Sequence, residues 1–144
     1  MSVAGPSIGT MTLSLSHVHV FADDPDAALA FYRDALGLEV RSEVPNEGFR
    51  WIALSTQEQP ELEIVLSHPR AGRSEQDGEM LSAMLAKGEL PGLLFRTSDL
   101  DALFEKVQAA GGVEVLQEPT DQFWGVRDAA FRDPSGNLVR VSQA

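Results

Sequence analysis

The sequence predicts an α+β protein built from two copies of one strand–helix–three-strand unit. Residues 17–40 resemble residues 92–115 at a constant offset of 75, with aspartate, alanine, glycine and glutamate recurring in step. The segments GFRWIAL and GVRDAAF, and the strands ELEIVL and LVRVS, resemble each other at an offset of 77. Repetition of this kind indicates two equivalent modules that pack around a shared cleft.

Local signals define the elements of the first unit. Residues 13–21 alternate between apolar and polar, as a half-buried strand does. Asp24 is a helix N-cap, and Pro25 occupies the first helical position, where its missing N–H is tolerated. The helix is expected to reach about Leu36 and to end at Gly37 in a left-handed conformation. Its expected buried side chains are Ala28, Phe31 or Tyr32, and Ala35.

The second unit carries the same signals more regularly. Asp99 is the equivalent N-cap, and the segment DPSGN (133–137) predicts a tight turn between the last two strands. The predicted apolar stripe of the second helix is Leu100, Leu103, Val107 and Ala110.

These elements divide the chain into four parts. Residues 1–11 are expected to be a flexible tail, and residues 12–66 the first module. Residues 92–144 form the second module. Residues 67–91 have no counterpart in the repeat and are expected to contain a short helix over Glu79–Lys87. This segment is either a linker with a surface helix or a lid over the cleft.

Composition excludes several classes of function. The 144 residues carry 22 acidic and 11 basic side chains, a net charge of −11 that disfavours nucleic-acid binding. The absence of cysteine excludes disulfides and thiolate chemistry and suits the cytoplasm. No apolar stretch is long enough to cross a membrane, and the N-terminus does not read as a signal peptide.

Three segments carry a family resemblance: SHVHVFADDPDAALAFYRDALGLEV, LLFRTSDLDALFEKVQAAGG and GVRDAAFRDPSGNLVRV. Together they resemble the vicinal oxygen chelate superfamily, which includes glyoxalase I, bleomycin-resistance proteins, fosfomycin-modifying enzymes and extradiol dioxygenases. The resemblance covers residues 12–142. It implies paired βαβββ modules that form a cupped, barrel-like mixed sheet with the helices outside. Many members are homodimers whose cleft is completed by the partner chain, so a homodimer is expected.

The resemblance also implies four metal-ligand positions, on the first and last strand of each module, usually occupied by His and Glu. In this sequence His17 and Glu63 match, whereas Gly92 and Arg140 do not. A guanidinium is always protonated, so Arg140 stands where a metal cation would bind. We therefore expect no metal cofactor, with Arg140 paired to Glu63 across the cleft floor.

Other side chains are candidates for the same cleft. His17 and His19 lie two apart on a strand and face the same side. They either contact a ligand, are satisfied in a partly polar core, or begin a site for Zn, Fe, Mn or Ni. His68 is a turn residue or a third ligand for such a site. Trp51 and Trp124 form an apolar pocket wall, or fill the core or a dimer interface.

Two arginines occupy equivalent repeat positions. Arg50 and Arg127 lie at the same place in GFRWIAL and GVRDAAF. They are expected either to bind anions or to bridge the two modules as structural residues.

Two hypotheses for function follow. The first is a metal-free binding protein that sequesters a planar or aromatic small molecule such as an antibiotic, as the bleomycin-resistance branch does. The second is an enzyme of the lyase, isomerase or dioxygenase type. It would use a metal held by His17 and Glu63, with His19 as a substitute ligand. Without metal, it would use His17 or His19 as general base and Arg140 to stabilise an oxyanion.

Overall fold

The structure is a computed structural model that describes residues 11–144. It confirms the α+β class, with two four-stranded mixed sheets and three helical segments. The predicted tail, residues 1–11, lies outside the described residues except for Met11. The strands of the first sheet are β1 (His17–Phe21), β2 (Glu39–Asn46), β3 (Phe49–Ser55) and β4 (Glu63–Ser67). Those of the second are β5 (Leu93–Thr97), β6 (Glu114–Asp121), β7 (Arg127–Arg132) and β8 (Leu138–Gln143).

The two sheets have the same topology, as the repeat predicts. The strand order is β1-β4-β3-β2 in the first sheet and β5-β8-β7-β6 in the second. In each sheet the first strand is parallel to the last, and the remaining pairs are antiparallel. The first and last strands of each module therefore lie side by side, where a ligand can contact both.

The helices begin at the predicted caps. Helix α1 (Pro25–Leu29) starts after Asp24, whose carboxylate accepts a hydrogen bond from the Ala27 N–H at 3.2 Å. Helix α3 (Leu100–Ala110) starts after Asp99, which accepts from the Ala102 N–H at 3.1 Å. A side-chain oxygen at this position satisfies one of the free N–H groups at a helix start. Ala28 and Ala35 are buried as predicted, and both Phe31 and Tyr32 are buried where only one of the two was expected.

The first helix departs from the expected geometry in its second half. It continues from α1 as a π-helix over Ala30–Ala35, and the Leu36 N–H donates to the Phe31 carbonyl at 2.9 Å. The sequence did not predict this widened segment. Gly37 follows with φ of 85°, the left-handed conformation that was predicted for the helix end.

Strand β1 begins four residues later than predicted, at His17 instead of Leu13. The carbonyl of Ser16 accepts from the Glu63 N–H at 2.9 Å, and the residues before it are exposed and outside any strand. The alternating pattern of this segment is strand-like, but a strand needs a neighbour to complete its hydrogen bonds.

The first helix with its π-helical turn, helix α3 and one face of each sheet share a single hydrophobic core. Helix α3 packs against β6, β7 and β8 and also against the π-helical turn of the first module. The core side chains of the two sheets include Val20, Ile52, Leu54, Ile64, Leu66, Ala129, Phe131, Val139 and Val141. Because side chains alternate along a strand, residues of the other parity lie on the opposite face of each sheet, away from the helices.

The turn 133–137 joins the two modules. The buried Tyr32 hydroxyl donates to Asp133 at 2.6 Å, and the Asn137 amide donates to the Phe21 carbonyl at 2.7 Å. The Ser135 hydroxyl donates to Asp23 at 2.8 Å. Burial and the negative charge of Asp133 raise the pKa of Tyr32 well above its usual value. The segment DPSGN thus forms the predicted turn and also fixes one module to the other.

The segment between the modules contains helix α2 (Glu75–Lys87), four residues longer at its start than predicted. Ser74 caps it, and the Leu85 side chain is buried. The Leu85 carbonyl lies so close to the turn 133–137 that a Cβ at Gly136 would overlap it. Met80 and Met84 are exposed. The proposal that this segment acts as a lid stays a prediction. Between residues 11 and 144 the structure has no helix with the length and apolar character required to cross a bilayer.

Candidate functional site

The exposed face of the first sheet, which we call the first face, places His17 beside Glu63. The parallel register of β1 and β4 sets these two residues opposite each other. His17 Nε2 lies 3.7 Å from Glu63 Oε2, and His17 Nδ1 is 2.8 Å from the Ser16 hydroxyl. The pair is partly exposed, so both side chains remain available to a ligand.

An aromatic surface continues the first face. The rings of His19 and Trp51 meet edge to face, with their centroids 6.3 Å apart. His19 therefore lies on the same side as His17, as predicted from their spacing. The indole Nε1 of Trp51 is buried and has no hydrogen-bond acceptor among residues 11–144.

The exposed face of the second sheet, the second face, is built around a buried carboxylate. Asp128 accepts hydrogen bonds from the side-chain amides of Gln117 at 2.7 Å and Gln122 at 2.9 Å. It also accepts from Nη1 of Arg140 at 3.1 Å. Burial alone would raise the pKa of Asp128, but the hydrogen bonds from Gln122, Gln117 and Arg140 together lower it. Asp128 therefore remains ionised and fixes the orientation of Arg140.

The predicted pairing of Arg140 with Glu63 is wrong within one chain. Glu63 pairs with His17 on the first face, and Arg140 pairs with Asp128 on the second. No hydrogen bond or ion pair between residues 11 and 144 joins these two clusters. The error arose because the repeat aligned the positions of the two residues without showing which sheet neighbour each one meets.

The second module repeats the strand register of the first at an offset of 77 residues, but with different side chains. Leu94 lies opposite Arg140, in the position that His17 holds relative to Glu63. Gly92 was the expected counterpart of His17, but it lies just before β5 and beside Leu138. A Cβ at position 92 would overlap the Leu138 carbonyl. Neither residue that could replace His17 in the second module offers a metal-binding atom.

Trp124 lies in the loop between β6 and β7. Its ring meets that of Phe123 edge to face, with centroids 4.7 Å apart, and both rings are exposed. Gln122, the residue before Phe123, belongs to the cluster around Asp128. This aromatic pair therefore lies at the margin of the second face, whereas Trp51 lies on the first.

His68 is a turn residue, one of the two roles considered for it. Its Nδ1 accepts from the Arg70 N–H at 3.1 Å, and its ring packs on Phe49 with centroids 4.9 Å apart. Burial lowers the pKa of His68, which keeps the ring neutral and able to accept.

The donor set does not fit the metal centre that the resemblance implies. His17 and Glu63 supply two donors on the first face, but Leu94 and Arg140 face each other on the second. In the part of the chain that the structure describes, no three His, Asp or Glu side chains are grouped to hold a metal ion. A hydrocarbon and a protonated guanidinium cannot complete the coordination.

The two equivalent arginines act within their own modules. Arg50 donates to Asp26 at 2.9 Å, and Arg127 donates to Asp101 at the same distance. Each ties the third strand of its module to the first turn of its helix. The expectation that they bridge the modules is therefore wrong.

Sequence reasoning missed Asp128, Gln117 and Gln122. A signal for Asp128 was present, because at the offset of 77 it occupies the repeat position of Trp51. It is a charged residue in the strand RDAAFR, two positions from Ala130, with which Arg140 is paired in the sheet. No comparable signal marks the two glutamines.

A sequence model of the Glyoxalase/Bleomycin resistance protein/Dioxygenase superfamily matches residues 14–141. The chain belongs to this superfamily. It is 33% identical over 128 residues to YurT, an uncharacterized protein of Bacillus subtilis (strain 168), a match that covers 86% of this chain and 94% of YurT.

Solved structures of the superfamily fold superpose on the chain. The crystal structure of UcmS2 matches with a TM-score of 0.81 and 32% identity, covering 93% of this chain and 100% of UcmS2. TnmS3, an antibiotic binding protein from Streptomyces sp. CB03234, matches with a TM-score of 0.69 and 28% identity, covering 92% of this chain and 98% of TnmS3. The βαβββ architecture of the superfamily is thus the architecture of this chain.

Proposed function

We propose that this protein is a metal-free binding protein that sequesters a planar aromatic ligand, such as an antibiotic. The ligand lies between the first face of one chain and the second face of another. The ligand bears an acceptor oxygen, either a carbonyl or an acidic hydroxyl. The arrangement of Arg140 on Asp128 carries the proposal, because it supplies a fixed positive group where enzymes of the superfamily hold a metal.

Arg140 is positioned to bind such an oxygen. Its side chain is 35% exposed, whereas that of Asp128 is only 6% exposed. A guanidinium has five N–H donors, and only Nη1 donates to a partner among residues 11–144. The remaining donors on Nε and Nη2 can therefore bind the ligand without breaking the pair with Asp128. Charge-assisted bonds of this kind are stronger than neutral ones.

The aromatic residues supply the rest of the affinity. Trp51 with His19 forms one ring surface on the first sheet, and Trp124 with Phe123 forms another in the β6–β7 loop of the second module. Aromatic rings are attracted to one another beyond the area that they bury. A flat ligand between the two faces would contact both surfaces. The antibiotic binding of TnmS3, which shares the fold, supports this ligand class.

A homodimer is part of the proposal. Both faces point away from the core and the helices of their own chain, and the clusters around Glu63 and Arg140 do not meet within it. A second copy related by a two-fold axis would set the first face of each chain against the second face of its partner. Two equivalent clefts would result.

The competing function is catalysis by the exposed His17–Glu63 pair. The two side chains lie 3.7 Å apart, close enough for the Glu63 carboxylate to attract the imidazolium that forms when His17 accepts a proton. Binding and catalysis differ in one outcome, which is whether the ligand leaves the protein chemically unchanged.

The test is a titration of the protein with a panel of planar aromatic antibiotics. Binding is measured by the quenching of the fluorescence of the two tryptophans. We expect Arg140→Leu to weaken the binding at least tenfold. The matched control is Arg127→Leu, which removes an arginine of similar exposure that pairs with Asp101 and Asp121 and not with Asp128. Chromatography of the ligand recovered after long incubation should show that it is chemically unchanged. Converted ligand, with the conversion lost in His17→Ala, would establish the enzyme instead.

A further inference from the structure

Strand β5 brings a second arginine to the second face. Leu93 and Phe95 pack against the hydrophobic core. Because side chains alternate along a strand, Leu94 and Arg96 point away from the core, on the side of the second face. Both side chains are exposed, and both border a groove with a volume of about 1030 Å³. A small molecule on the second face can therefore reach the Arg96 guanidinium.

Arg96 is a neighbour of Arg140 on this face. In the sheet, Leu94 lies opposite Arg140, and Arg96 lies opposite Ser142, two positions further along. Diagonal neighbours on adjacent strands are about 7–8 Å apart, which two long side chains can span. Ser142 also pairs with Asp128. The buried carboxylate, the serine hydroxyl and the second guanidinium therefore occupy one row across β7, β8 and β5.

Arg96 differs from most arginines of the chain in having no acceptor. Seven of the nine arginines donate a side-chain hydrogen bond to an acceptor among residues 11–144. The two exceptions are Arg96 and Arg70, which lies in the turn after β4. Acidic side chains outnumber basic ones by 22 to 11, so a guanidinium without a carboxylate partner is unusual in this chain. Of the two exceptions, only Arg96 lies on the second face.

Asp128 does not neutralise both arginines of the second face. Its Oδ1 accepts from two glutamine amides, and its Oδ2 accepts from Arg140. Glu58 borders the same groove as Arg96, but no ion pair between residues 11 and 144 joins Arg96 to a carboxylate. One carboxylate therefore accompanies two guanidiniums, and these three side chains together carry one positive charge.

We propose that Arg96 and Arg140 together hold an ionised oxygen group of the ligand, so that the protein selects aromatic carboxylates or phenolates over neutral molecules of the same shape. This inference rests on the proposed function and names the charge of its ligand. Arg140 is fixed by Asp128, and Arg96 adds a second charge-assisted bond from the neighbouring strand. The Leu94 side chain, which is 79% exposed, offers an apolar surface beside Arg140 for the ligand ring.

The overall charge of the protein makes this selectivity diagnostic. A chain with a net charge of −11 repels anions at long range. Salt at about 0.15 M screens this repulsion beyond about 8 Å but does not reverse it. A preference for an anion over its neutral analogue therefore requires cations in contact with the bound ligand.

The experiment measures the affinities for anthraquinone-2-carboxylate and anthraquinone-2-carboxamide, which share one planar ring system and differ in charge. Titrations at neutral pH in about 0.15 M salt follow the quenching of tryptophan fluorescence. Arg96→Gln removes the charge, and Arg96→Lys keeps it. The matched control is Arg70→Gln, which removes the other arginine without an acceptor. Light scattering during size-exclusion chromatography gives the oligomeric state of each protein.

The wild-type protein and Arg70→Gln should bind the carboxylate at least about tenfold more tightly than the carboxamide. This preference should fall at least about fivefold in Arg96→Gln, with the affinity for the carboxamide nearly unchanged, and Arg96→Lys should restore most of it.

An unchanged preference in Arg96→Gln overturns the role of Arg96, even if Arg140→Leu still weakens binding and the proposed function stands. A changed oligomeric state with an unchanged preference also overturns it and assigns Arg96 to a contact between chains. If the wild type binds both compounds equally, or binds neither, the selectivity for anions is overturned. If it also binds no member of the antibiotic panel, the proposed function is overturned as well.

Discussion

The two modules share one backbone design, yet their exposed faces have different chemistry. Trp51 on β3 and Asp128 on β7 occupy the same repeat position, as do Glu63 and Arg140. The first face therefore presents an aromatic surface with an exposed His–Glu pair, whereas the second presents a guanidinium fixed by a buried carboxylate. The same two repeat positions thus hold an indole and a carboxylate in the first module, and a carboxylate and a guanidinium in the second.

The comparison also shows which of the two modules depends more on its polar groups. On the first face, solvent can replace the contacts of Glu63 and His17. On the second, Asp128 has three side-chain partners and little contact with water. Leaving a buried charged group without partners is far more costly than losing an exposed pair.

The largest expected effect is therefore at Asp128. Asp128→Ala removes the carboxylate that accepts from Arg140, Gln117 and Gln122 and should lower the free energy of unfolding by about 2–3 kcal/mol. The equivalent removal on the first face, Glu63→Ala, should cost less than about 1 kcal/mol. Urea unfolding of both variants measures the difference. Similar losses would mean that the two faces do not differ in the way described.

Urea unfolding of the wild type and Asp128→Ala at acid pH provides a further control. Because the pKa of Asp128 is lowered in the folded state, its contribution to stability is present above the pKa of the unfolded chain and is lost as pH falls through the folded pKa. The stability difference between wild type and Asp128→Ala should shrink below about pH 4.

The next effect concerns the contact between the modules. Tyr32→Phe removes the hydroxyl that donates to Asp133 and should cost about 2 kcal/mol. Since the pKa of Tyr32 is raised in the folded state, the unfolded chain releases the phenol proton first. The stability of the wild type should therefore fall as pH rises above about 10, and that part of the fall should be absent in Tyr32→Phe. Parallel pH profiles of the two proteins would contradict this role.

The smallest expected effect is at Trp51, the repeat counterpart of Asp128. Its buried indole N–H has no acceptor among the described residues, so Trp51→Phe removes an unsatisfied donor together with some apolar contact. The free energy of unfolding should change by no more than about 1 kcal/mol. Trp124→Phe, at an exposed ring, is the matched control. A loss at position 51 as large as that of Asp128→Ala would show that the first face depends on a polar contact of this indole.

The fold could be predicted from the sequence because its signals are local. The caps at Asp24 and Asp99, the glycine at position 37 and the turn 133–137 each act over a few residues, and the repeat then links them into modules. The π-helical turn after Leu29 could not be predicted, because no local signal in the sequence marks it; the turn packs against helix α3 of the second module.

The candidate site could be predicted only in part. Alternation correctly placed His17 with His19 on one face, but it does not determine which residue lies across from Arg140. That choice depends on the register of β5 with β8, where Gly92 approaches the Leu138 carbonyl. It also depends on the course of the β6–β7 loop, which brings Gln122 to Asp128.

The central claim is that Arg140 holds the position of a metal cation. The most direct test is the metal content of protein expressed with added Zn, Fe, Mn and Ni and purified without chelator. We expect less than about one metal ion per ten chains, and no increase in thermal stability when Zn²⁺ or Mn²⁺ is added. One tightly bound transition-metal ion per chain, lost in His17→Ala and Glu63→Ala, would contradict the claim.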